Sequence, residues 1–157
     1  MNGERGNHFI DRRTVLLTAA SAASVLAMLP HVATAQEAQI LEAAIKKAVG
    51  DTKPVDGRIS LTLPEIAENG NTVPFELAVQ SPMSDADYVK AVHIFAPGNP
   101  QADVASFLFS PASGKAAVAS RMRLARTQDV VALAEMSDGK VFMTKRTVKV
   151  TIGGCGG

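Results

Sequence analysis

Val118-Ala119-Ser120-Arg121-Met122-Arg123-Leu124 decides the fold class. Arg121 and Arg123 fall on one face of an extended chain, Met122 and Leu124 on the other. A period of two marks a half-buried strand, because a helix would repeat its apolar positions every three to four residues. The pattern recurs in both directions. Upstream, Ile59, Leu61 and Leu63 alternate with Arg58, Ser60 and Thr62, and Val73, Phe75, Leu77 and Val79 follow. The runs from Val89 to Phe95, Val104 to Phe109, Val130 to Met136 and Val141 to Ile152 complete the set. Asn69-Gly70 and Asp138-Gly139 stand between strands and are expected to form tight turns there. About seven short strands separated by turn signals predict an all-β fold, an immunoglobulin-like antiparallel sandwich.

One helix is predicted ahead of the strands. From Glu37 to Val49, Ile40, Leu41, Ala44, Ile45, Ala48 and Val49 recur at helical spacing. Lys46 and Lys47 suit the negative end of the helix dipole, and Gly50 is a natural C′ residue.

Composition narrows the function classes. With 16 basic and 15 acidic residues the net charge is +1, so no basic field points to nucleic acid. Aromatic residues are 4% of the chain and Trp is absent, which removes a stacking platform for bases or sugars. Residues 1–35 read as an export leader. Arg5, Arg12 and Arg13 precede an apolar stretch from Val15 to Leu29, and Ala33-Thr34-Ala35 is a small-x-small cleavage signature. The stretch is short against the ~20 apolar residues of a spanning helix, so no stable membrane anchor is expected. Asp11-Arg12-Arg13-Thr14-Val15-Leu16-Leu17 resembles the twin-arginine export signal, which implies export of a folded protein. The expected location is therefore the periplasm. The expected organisation is a leader over 1–35, a helix-plus-sandwich domain over 36–152 and an arm over 153–157.

Without the leader the charges balance and His93 is the only histidine. A structural zinc site or a blue-copper site then lacks ligands, and no metal or other cofactor is expected. His93 lies inside a strand and reads as structural. Asp85 and Asp87 sit in a solvated turn, Arg121, Arg123 and Arg126 on a wet face, and Met122, Met136 and Met143 in the core. No catalytic set emerges.

The segment Gly153-Gly154-Cys155-Gly156-Gly157 is different. An exported chain with one cysteine carries either an intermolecular disulfide or a purposely free thiol. Gly153, Gly154, Gly156 and Gly157 strip bulk and stiffness from around the sulfur, so the segment is expected to be a mobile tether reaching ~17 Å when extended. Such a tether could enter a narrow channel of another protein. No neighbour in sequence activates the thiol, so activation is expected to come from a partner.

This arm is similar to the carrier arm of the SoxY family of the bacterial thiosulfate-oxidising Sox system. Leu63-Pro64-Glu65-Ile66-Ala67-Glu68-Asn69-Gly70-Asn71-Thr72-Val73-Pro74 also resembles that family's early strand-turn-strand segment. The resemblance implies a covalent substrate carrier rather than an enzyme, with Cys155 as the attachment point and a heterodimer with a SoxZ-like β-sandwich subunit. It further implies a haem enzyme that conjugates thiosulfate to Cys155, a dimanganese hydrolase that releases sulfate, and a molybdenum–haem sulfane dehydrogenase. Metals and haems would belong to those partners. The runs from Val89 to Phe95 and Val104 to Phe109 are more apolar than alternation requires, as expected of a surface covered by a partner.

Two other readings stand beside it. One is a Gly-Gly thiocarboxylate sulfur carrier using Gly156-Gly157, whose ATP-dependent activation conflicts with a leader. The other is an exported binding module locked to a partner through a Cys155 disulfide, which a rigid strand would serve better than a glycine arm. Prenylation is out of register, because Cys155 is third from the end.

Overall fold

A computed structural model describes residues 29–154. The chain divides into two compact units, Met1–Gln36 and Glu37–Gly157, and the first contributes only the opening turns of a helix to the described residues. The arginine pair and apolar stretch of the expected leader, and Cys155, Gly156 and Gly157 of the expected arm, lie outside the described residues.

Helix α1 spans Leu29–Val49, eight residues earlier than the predicted start at Glu37. Ala33, Ala35 and Gln36 are good helix formers with nothing among them to stop propagation. Its end matches expectation. Gly50 adopts φ +68°, and its N–H donates to Lys46 O at 2.9 Å, closing the last turn.

The strands are β1 (Val55–Asp56), β2 (Ile59–Thr62), β3 (Ile66–Asn69), β4 (Val73–Val79), β5 (Val89–Phe95), β6 (Asp103–Leu108), β7 (Ala116–Met122), β8 (Gln128–Met136) and β9 (Val141–Ile152). They form two layers. The larger sheet runs β1-β9-β8-β5-β6, with β3 also paired to β9, and the smaller runs β2-β4-β7. Alternation predicted neither β1 nor β3, the latter entering only through the family resemblance of Leu63 to Pro74, and both pair with β9 in parallel, at Val55↔Phe142 and Ile66↔Lys149. Parallel neighbours leave no hairpin signature, and segments this short carry no readable alternation.

One core fills the space between the sheets. Phe75, Leu77, Val92, Ile94, Met122, Leu124, Val130 and Ala132 are among its members. A second lies on the outer face of the large sheet, where Phe95, Val131, Leu133 and Val141 meet Leu41, Ala44, Ile45, Ala48 and Val49 of α1. β8 is therefore covered on both sides, with Val130, Ala132 and Ala134 turned one way and Val131 and Leu133 the other. The same holds for part of β5. Its excess of apolar residues, expected to be covered by a partner, is covered at Phe95 by the chain's own helix. β6 differs: it is the last strand of the large sheet, and Leu108 on it is 82% exposed.

The two predicted turns part company. Asp138-Gly139 closes the β8–β9 hairpin, with Gly139 at φ +82° and its N–H on Met136 O at 3.1 Å. Asn69-Gly70 is not a hairpin turn. It lies where the chain leaves the large sheet after β3 and enters the small one at β4, and Gly70 has no positive φ.

Candidate functional site: the root of the cysteine arm

Two sheet-crossing segments meet the end of β9. The first is the corner from Asn69 to Thr72 between β3 and β4. The second runs from Arg123 to Thr127, between β7 in the small sheet and β8 in the large one. Because β3 runs parallel to β9 with Asn69 opposite Ile152, both strands deliver their ends to the same corner.

Main-chain hydrogen bonds close this corner. Gly70 N–H donates to Ile152 O at 2.7 Å, Leu124 N–H donates to Gly70 O at 2.8 Å, and Gly154 N–H donates to Leu124 O at 3.0 Å. Gly154 is buried. A Cβ on it would lie 2.8 Å from Gly70 O, and a Cβ on Gly153 would run into Ala125 O. These two glycines were expected to belong to a mobile tether. They are instead held on the body, and glycine is needed there because two main chains approach too closely to admit a methyl group.

The segment that receives them is itself fixed by a buried polar network. Gln128 Nε2 donates to Asn99 Oδ1 at 2.9 Å, while Gly98 N–H donates to Gln128 Oε1 at 2.8 Å. Asn99 then brackets the segment, its Nδ2 donating to Arg123 O and its Oδ1 accepting from Ala125 N–H, both at 2.9 Å. Among the described residues no buried side-chain polar atom lacks a partner. Thr127 Oγ1 accepts from Val150 N–H at 2.9 Å, stitching the same segment to β9. Arg126 reaches Glu37 of α1 at 2.6 Å. Sequence reasoning missed Asn99 and Gln128, since polar residues near turns read as solvated. Their signal is visible only in three dimensions.

The remaining singled-out residues lie elsewhere. His93 is on the helix-covered face of the large sheet, its Nδ1 2.8 Å from Ser106 Oγ and its ring stacked on Phe95 at 6.3 Å. Burial pushes its pKa down, while Glu135 and Asp103 oppose the shift. Asp87 accepts from Ser84 N–H through its carbonyl and pairs with Arg58 at 3.4 Å, as befits a surface turn. Met122 and Met136 are buried and Met143 packs against the helix-side core. Arg121 and Arg123 are exposed beside a shallow cleft that also includes Asn99 and Gln101. Among the described residues no three His, Cys, Asp or Glu side chains gather as metal ligands. The described part of the molecule thus offers a scaffold with a firmly rooted chain end and no catalytic constellation.

Comparisons with known proteins agree with that picture. Residues 45–155 match the family model for sulfur oxidation protein SoxY. The match ends at the lone cysteine. The fold is similar to the sulfur carrier protein SoxY from Chlorobium limicola f thiosulfatophilum, with a TM-score of 0.66 and 33% identity over 76% of this chain and 98% of that one. A superoxide reductase (neelaredoxin) from Ignicoccus hospitalis shares the fold at a TM-score of 0.52 and 17% identity, over 68% of this chain and 86% of that one. A putative superoxide reductase from Thermotoga maritima does so at 0.53 and 16%, over 63% and 93%. These last two likenesses speak to fold alone, the immunoglobulin-like sandwich. A search of curated protein sequences finds no match.

Proposed function

The chain belongs to the SoxY family of sulfur oxidation proteins, and from that membership we propose that it carries thiosulfate-derived sulfur covalently on Cys155. It is a sulfur carrier, not an enzyme by itself, and its family works with a SoxZ partner. The single observation that supports Cys155 as the attachment point is its place. The chain's only cysteine stands one residue beyond Gly154, whose N–H is fixed to Leu124 O.

Cys155–SH and thiosulfate join through a new S–S bond, giving Cys155–S–S–SO3⁻, with loss of one proton and two electrons to the haem of the conjugating enzyme. Water then splits the terminal S–S bond, releasing sulfate and a proton and leaving a persulfide on Cys155. Oxidation of the outer sulfur by six electrons, taken by the sulfane dehydrogenase, adds three water-derived oxygens. A second hydrolysis by the dimanganese hydrolase releases sulfate and restores the thiol. The protein supplies the sulfur atom and its presentation, and the partners supply every electron acceptor and metal.

The unpaired outer edge of β6, with Leu108 exposed on it, supports a partner subunit on that side of the large sheet. Export to the periplasm, by the twin-arginine route suggested by Arg12 and Arg13, would place the carrier with its enzymes. The test is reconstitution with thiosulfate and the partner enzymes. Wild type should support sulfate release, and Cys155→Ser should abolish it while leaving thermal unfolding unchanged. Sulfate release by the Cys155→Ser protein would reject the reading.

A further inference from the structure

We propose that the outer face of the small sheet is where two copies of this chain meet, sheet against sheet, about a two-fold axis that sets Glu76 of each copy against Arg121 of the other.

The outer faces of the two sheets differ. α1 covers that of the large sheet at Phe95, Val131 and Leu133. No described element covers that of the small sheet, and every side chain that β2, β4 and β7 turn outward is exposed. Most of these are Ala, Ser, Thr or Pro, and only Glu76 and Arg121 are charged. Neither takes part in any of the seven ion pairs among the described residues.

Register fixes where the two charges stand. Glu76 lies opposite Ala119, and Pro74 lies opposite Arg121. Glu76 and Arg121 are thus diagonal corners of a four-residue patch, ~7–8 Å apart, and Pro74 and Ala119 are the other two corners. A two-fold axis in the plane of the face, along the Pro74–Ala119 diagonal, brings each carboxylate over the other copy's guanidinium. One operation makes both ion pairs, which is the self-complementarity an isologous contact requires. Residues on the axis meet their own counterparts, and Pro74 and Ala119 carry no charge to repel itself there. A uniformly acidic or basic partner would instead face one of the two charges with its like. In the next row Ala78 lies opposite Ala117, and side chains this small allow the sheets to approach to the ~10 Å at which sheets pack. The patch is small beside the ~800 Å² per partner of a stable complex, so the contact is weak and reversible. Its charges set register more than strength.

The test uses the full chain carrying Cys155→Ser, so that the native thiol takes no part. With Ala119→Cys added, on the axis, a short bismaleimide should join two copies at least tenfold faster than it joins Ala112→Cys, an exposed position off the face. Glu76→Arg and Arg121→Glu should each slow cross-linking at Ala119→Cys at least fivefold, because like charges then meet across the axis. The two swaps together should restore the rate to within twofold, and added salt should slow the unswapped protein. All four side chains are exposed, so thermal unfolding should be unchanged throughout. Equal rates at residues 119 and 112 would overturn the proposal, and so would a double swap no faster than the single ones. Cross-linking lost on adding the SoxZ-like subunit would assign the face to that subunit and overturn it as well. The carrier reading of Cys155 enters none of these measurements and stands or falls by its own test.

Discussion

Asn69-Gly70 and Asp138-Gly139 look alike as dipeptides and do opposite things in the molecule. Gly139 has φ +82° and open space around the position of a Cβ, so glycine is there for the angle it permits. Gly70 has no positive φ and is crowded by Leu124 O, Gly154 N and Val150 Cγ1, so glycine is there for the room it leaves. One serves a hairpin between two strands of one sheet. The other serves a corner between sheets, where three chain segments converge on the residue before the cysteine. A turn signal in sequence reports that the chain bends, and only packing tells which demand the glycine meets.

Substitutions at the two positions should separate those demands. Gly70→Ala forces a methyl group against main-chain atoms that cannot rotate away, and should cost about 3 kcal/mol, the upper part of the overpacking range, read as a lowered urea midpoint. A near-neutral Gly70→Ala would break the contrast. Gln128→Leu tests the support behind the same corner. It strips Gly98 N–H and Asn99 of buried partners, and should cost about 2 kcal/mol by the same measurement. Gly139→Ala should cost less, about 1 kcal/mol for a left-handed backbone angle, and Gly139→Asn should recover part of it because Asn tolerates that region. An Asn at position 70 should recover nothing.

The smallest effect is a pH dependence far from either glycine. Burial holds the His93 imidazole below its ordinary range, with Glu135 and Asp103 opposing in part. The unfolded chain therefore takes up a proton before the folded chain does. The stability contributed here is complete above about pH 6.5, the unfolded value, and is lost progressively as pH falls through the lowered folded value. Urea midpoints of wild type and His93→Gln should run parallel above that pH, and the wild type should fall away faster below it. A wild-type slope equal to that of His93→Gln would remove the burial effect.

Much of the fold was legible because alternation is a strong signal wherever one face is wet. β4 shows it cleanly, with Val73, Phe75, Leu77 and Val79 buried between exposed neighbours. The helix was legible from Ile40 to Val49 because one face must cover Phe95, Val131 and Leu133. β1 and β3 were not, since strands of two and four residues are made by their pairing with β9 and not by their own pattern. The apolar excess of β5 was legible as coverage, but sequence order could not tell whether a partner or α1 supplies it. At the arm, the cysteine and its glycines pointed to the family that the comparisons show. That Gly153 and Gly154 are packed was hidden, because close approach depends on Ala125 and Gly70, which are far away in sequence.

The central claim is that the corner presents one sulfur for loading. Intact-mass measurement of the protein after exposure to thiosulfate and the haem conjugating enzyme alone, followed by peptide mapping, tests it most directly. The account predicts a single added S2O3 unit that maps to the peptide containing Cys155, is removed by a thiol reductant, and never forms on Cys155→Ser. An adduct on any other peptide, or an unmodified Cys155 while the conjugating enzyme consumes thiosulfate with the carrier, would contradict it.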